Sequence, residues 1–207
     1  MNGGRASRMW GWALAAIAAA MSPTPAHAHL NSTGMGPVYD GVLHFVMSPE
    51  DLIPVLALAL YAGLRGAGYG RETLFVLPGA WLLGGFIGLA APATKGSVVL
   101  SAIWFLLLGG LLAANARLSL RVTAALAALV GLSHGYVNGS GMGPSMFAGM
   151  VVVGLVGAVF VVSALTAAFV VRLRAEWGRI AVRVAGSWIA ASGLLLLGWA
   201  ARAARGG

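Results

Sequence analysis

The chain has 207 residues, of which 59% are hydrophobic and 9% charged, with a net charge of +8 and no cysteine. An ordinary soluble domain carries roughly a quarter charged residues, so lipid has to cover most of this surface. The missing cysteine excludes disulfides, Fe–S clusters and thiolate metal sites. The basic residues are spaced between apolar runs rather than gathered on one face, which is how membrane topology is written and argues against nucleic acid as a partner.

In chain order, Arg5 and Arg8 precede an apolar run from Trp10 to Met21 and then Ser-Pro-Thr-Pro-Ala-His-Ala. A basic start, a core of about a dozen residues against the roughly 20 needed to span, and small residues at Ala26 and Ala28 predict a signal peptide over 1–28, cut before His29. The alternatives are a cut after Ala26, or an uncleaved anchor helix.

The remainder reads as one all-α polytopic membrane domain, 29–207. Its six spans fall at approximately 37–64 (broken), 73–91, 97–114, 118–136, 145–171 and 180–200. With the mature N-terminus outside, eight arginines fall on the cytoplasmic side (Arg65, Arg71, Arg117, Arg121, Arg172, Arg174, Arg179 and Arg183) and Lys95, Arg202 and Arg205 outside. This is the positive-inside pattern of a bacterial inner-membrane protein with a periplasmic N-terminus. Gly84 and Gly88 form a small-xxx-small pair suited to close helix packing.

In this topology all four histidines (His27, His29, His44, His134) and the acids Asp40, Glu50 and Asp51 lie on the outer side. Ionisable groups near a membrane are costly and mark function by default. If Pro37 opens a helix, Asp40 and His44 stand at i, i+4 on one face, as two ligands or as a carboxylate orienting an imidazole. Ser48-Pro49-Glu50-Asp51 reads as a fresh helix start, breaking the first span near Met47–Pro49, and Pro54 adds an expected kink. Glu50 and Asp51 are then either ligands beside freed backbone or first-turn acids that complement the helix dipole.

The segments His27–Pro37 and His134–Pro144 align without gaps at an offset of 107, with six of eleven positions identical. Both are read as outer loops leading into inward helices, a parallel duplication with an axis along the membrane normal. Asn31 and Asn138 are read as turn-formers, with coordination as the alternative, Met35 and Met142 as packing residues or Cu(I) ligands, and Trp81 and Trp104 as interface or packing aromatics.

The run Gly41-Val-Leu-His44-Phe-Val-Met-Ser48-Pro-Glu50-Asp51-Leu52 resembles the first-helix signature of the HupE/UreJ family, and Ser133-His134-Gly135-Tyr-Val-Asn138-Gly139 is similar to its later H-G-x-A-H-G motif. The resemblance implies a nickel or cobalt permease or accessory protein linked to hydrogenase or urease maturation. It implies that His44, Glu50 and Asp51 take the positions of the family's His, Asp and His, and that His134 takes the first His of the second motif. Here the Asp-His pair is Glu50-Asp51, and Tyr136 and Asn138 stand where histidines are common.

The candidate metal residues are thus His44, Glu50, Asp51, His134, His29 and Asp40, handling a divalent transition-metal ion as substrate. Imidazole suits nickel, copper and zinc, and added carboxylate favours harder ions; an exposed His29 amine and ring would chelate copper or nickel. The expectation is a permease rather than an enzyme. The alternatives are a non-transporting metal-binding or assembly protein, in particular for copper, and an intramembrane serine hydrolase using Ser140. A hydrolase needs a base within hydrogen-bond reach, and no second motif supplies one.

Overall fold

The computed structural model describes residues 33–93, 96–143 and 145–205. The expected signal peptide and its cut, His27, His29, Asn31, Lys95 and Pro144 lie outside the described residues. Among the described residues there are seven helices and no strand: α1 Pro37–Met47, α2 Pro49–Arg65, α3 Ala67–Leu89, α4 Val98–Ala113, α5 Leu120–Gly141, α6 Ala148–Val171 and α7 Glu176–Arg205. The helices α3, α5, α6 and α7 are long and apolar enough to cross a membrane. The bent pair α1–α2 makes a fifth candidate, and α4 is apolar but only 16 residues long. This fits a multi-pass membrane protein in contact with lipid, and large side chains such as Phe75, Leu165, Trp188 and Trp199 face outward in keeping with it.

The first span breaks where expected. Proline disfavours helical geometry at the residue before it and brings no N–H of its own, so Ser48 adopts an extended conformation and α2 restarts at Pro49. The two helices meet at 76°. Pro54 lies buried inside α2, which continues through it. Gly66, at φ 116°, then turns α2 into α3 in a backbone region favoured by glycine.

Glycines fix the helix packing. Cβ positions at Gly131, Gly135 and Gly139 of α5 would run into the α3 backbone near Leu77–Trp81, Trp81–Gly85 and Gly85–Leu89 in turn, so α3 and α5 run side by side in the same direction. Gly84 and Gly88 make the reciprocal approach toward Leu132, Tyr136 and Ser140, which is the packing role read from their spacing. Gly109 and Gly186 bring α4 against α7 in opposite directions, and α6 opposes α3, with Gly70 beside Ala167 and Gly85 beside Val152. The core joins Phe45, Leu58, Leu77, Trp81, Val130, Leu155 and Val159 from five helices.

Two expectations change. The fourth apolar run was placed at 118–136 with an outer loop to follow, but α5 stays helical to Gly141. Glycine is a poor helix former in isolation, by roughly 0.5–1 kcal/mol relative to alanine, yet close contact with α3 is open only to glycine and offsets that cost. In consequence the described parts of the two aligned copies differ in structure. His134–Gly141 is helix, whereas Thr33–Gly36 precedes α1, and α6 starts only at Ala148 rather than beside Pro144.

Candidate metal centre

Four polar side chains from three helices meet at the end of the bundle where α2 begins and α5 finishes. Asp51 sits in the first turn of α2 and is 4% exposed; His134, in the last two turns of α5, is 7% exposed. His134 Nδ1 lies 2.9 Å from Asp51 Oδ1. A carboxylate accepts, so Nδ1 carries a proton and donates, and in the neutral ring Nε2 then holds the lone pair. That Nε2 is buried and meets no hydrogen-bond partner among the described residues. The imidazole is gripped between indoles, stacked on Trp81 at 5.2 Å and tilted toward Trp104 at 6.4 Å, while Phe45 meets Trp81 edge-on.

Asn138 stands one helical turn after His134 and ties the group together. Its Nδ2 donates to Asp51 Oδ2 at 2.9 Å and Oδ1 at 3.1 Å, and to the His134 carbonyl at 2.9 Å. With the amide protons directed there, Oδ1 faces His44 Nε2 at 2.9 Å, and an amide oxygen can only accept. His44 therefore holds its proton on Nε2 and keeps its lone pair on Nδ1. The result is a hydrogen-bonded chain His44–Asn138–Asp51–His134, running from half-buried α1 into the core, with opposite tautomers at its two imidazoles.

The other candidates lie apart from this chain. Glu50 is exposed and lines a separate groove of about 770 Å³ with Ser97, Ser101, Phe105, Ser192 and Trp199, between the ends of α2, α4 and α7. Asp40 accepts from the Thr33 hydroxyl at 2.8 Å and from the Thr33 backbone N–H, which pins the approach to α1. No group of three or more His, Asp or Glu stands ready to hold a metal among the described residues. Met142 packs against the core, while Met35 is 66% exposed. Ser140, the nucleophile of the hydrolase alternative, is buried in α5 and donates to the Val137 carbonyl.

The residues that the sequence did not single out for the site are the indoles of Trp81 and Trp104, and Asn138 reads from sequence first as a turn-former, with coordination only as the alternative. A signal for one was present. The four-residue glycine spacing at 131, 135 and 139 matches Trp81, Gly85 and Leu89 on α3, a register that sets Trp81 beside His134.

No curated protein and no solved structure matches the chain significantly. The family described as HupE / UreJ protein matches residues 14–196, which takes in the broken first span, the histidine-bearing end of α5 and most of α7. The chain belongs to the HupE/UreJ family.

Proposed function

We propose that this protein is a transition-metal permease or metal-uptake accessory that accepts a divalent ion, of the nickel or cobalt type, on the periplasmic side at His134, Asp51 and His44. The observation that carries this reading is the buried Nε2, without a hydrogen-bond partner among the described residues, of a histidine whose other nitrogen is held by a carboxylate. Metal-ligating imidazoles are oriented in this way, the carboxylate raising their basicity. Imidazole nitrogen suits nickel and cobalt.

At rest the group offers one free imidazole nitrogen in the core, and Asn138 occupies both the Asp51 oxygens and His44 Nε2. Rotation of that amide would release Asp51 and His44 as further ligands. A site completed only on arrival of the ion can also let it go, as passage requires. The ion's charge would in turn offset the cost of burying Asp51.

The test is equilibrium binding of Ni²⁺ and Co²⁺ to purified protein, together with uptake of radiolabelled metal into proteoliposomes. His134→Ala should abolish both while the protein remains folded in the membrane. Binding without uptake in the unaltered protein would point instead to a fixed site in an assembly protein. Normal binding and uptake in both His134→Ala and His44→Ala would refute the proposal.

A further inference from the structure

The opposite end of the bundle gathers cations around a cavity. Arg65 ends α2, and Arg179 and Arg183 stand one turn apart on α7. Two of them are aimed by carbonyls at helix ends: Arg179 Nη2 donates to the Leu64 carbonyl at 3.1 Å, and Arg183 Nε donates to the Ala113 carbonyl at 3.1 Å. Each guanidinium has five N–H donors, so most remain available after one anchoring bond. Among the described residues no arginine makes an ion pair with a carboxylate, the sole acid–base pair being His134–Asp51.

Between these anchors lies a cavity of about 150 Å³ lined by Leu64, Asn115, Glu176, Arg179, Ile180 and Arg183. Asn115 is held at φ 50° in the turn between α4 and α5. Its Oδ1 accepts from the Arg65 guanidinium, so its Nδ2 is the uncommitted end of the side chain. The wall thus presents two guanidiniums and an amide donor, against the single carboxylate of Glu176. Leu64 and the half-exposed Ile180 supply the apolar flank, and Trp177, 75% exposed, stands in the same first turn of α7 as an interfacial aromatic would.

We propose that this cavity binds a phosphate group, that of an anionic phospholipid headgroup whose acyl chains run along the outer face of α7. Guanidinium forks suit phosphate oxygens, and two anchored arginines one turn apart hold such a group at little further cost in side-chain order. A phosphate here would bridge α7 to the ends of α2 and α4 and tie down the least buried of the four long candidate spans. The site is independent of the metal centre at the other end.

The experiment is thermal unfolding of delipidated protein in neutral detergent, with added short-chain phosphatidylglycerol, short-chain phosphatidylcholine or inorganic phosphate. Phosphatidylglycerol should raise the melting temperature by about 5 °C at saturation, phosphatidylcholine by much less. Arg179→Gln/Arg183→Gln should remove the shift, and Arg179→Lys/Arg183→Lys should restore part of it. That restoration separates ligand binding from loss of the carbonyl anchors, since retained charge matters more to a phosphate than to a carbonyl. An equal shift with inorganic phosphate, lost in the same double variant, would support the site and assign the free ion as its ligand. No shift with either, or a shift that survives in the glutamine variant, would overturn the proposal.

Discussion

Asn138 is used to capacity. Both ends of its amide are engaged, and it fixes which nitrogen of His44 carries a proton. Asn138→Leu would strand Asp51 Oδ2 and the His44 N–H, leaving Oδ1 to His134 alone, so a loss of about 1–3 kcal/mol is expected in denaturant unfolding followed by tryptophan fluorescence. Asn138→Asp should cost more, because it sets a second carboxylate against Asp51. The two neighbouring acids should separate in the same way. Asp51→Asn leaves the shape of the site but removes the carboxylate that orients His134, and metal affinity should fall by about 10–100-fold. Glu50→Gln, exposed at the separate groove, should change affinity little; titration of both variants with Ni²⁺ is the check. From sequence, Glu50 is favoured as a ligand for its nearness to His44, while Asp51 stands evenly between ligand and helix cap. Adjacent positions on a helix point about 100° apart, so only the docking of α2 against α5 decides which one is buried.

At the scale of elements, the glycine contacts between α3 and α5 hold the candidate metal centre in register. A Cβ at Gly135 would meet the Trp81 carbonyl and the Gly85 amide, which are rigid backbone, whereas a Cβ at Gly110 in α4 would meet open space. Gly135→Ala should therefore destabilise by about 1–3 kcal/mol through overpacking. Gly110→Ala should be neutral or stabilising by up to about 1 kcal/mol through lower helix-formation cost. Thermal unfolding of the two variants side by side tests the assignment; a similar effect at both positions would contradict it. The break between α1 and α2 was legible because proline acts locally, on its own residue and the one before. The end of α5 was not legible. Gly-Tyr-Val-Asn-Gly-Ser-Gly has the local preferences of a turn, and its helix is maintained by a neighbour brought from some 50 residues earlier.

At the scale of the whole molecule, α2, α4 and α6 run one way and α3, α5 and α7 the other. The described arginines between helices therefore collect at one end, and the His–Asp chain and the C-terminal Arg202 and Arg205 at the other. Composition and charge spacing made this alternation readable, because each run between charges is close to a bilayer thickness. Contact between α3 and α5 across the intervening α4 was not readable from hydropathy, which carries no information about which helices touch. In the orientation proposed from the positive-inside pattern, the arginine end lies in the cytoplasm and the candidate metal centre faces the periplasm. Since the chain has no cysteine of its own, single introduced cysteines report on this directly. In spheroplasts, Ala203→Cys near the end of α7 should react with a membrane-impermeant maleimide, and Arg174→Cys between α6 and α7 should react only after permeabilisation. Labelling in the reverse order would invert the protein in the membrane. It would place His44, Asn138, Asp51 and His134 at the cytoplasmic face, where they would receive or release an ion inside the cell rather than capture one from outside.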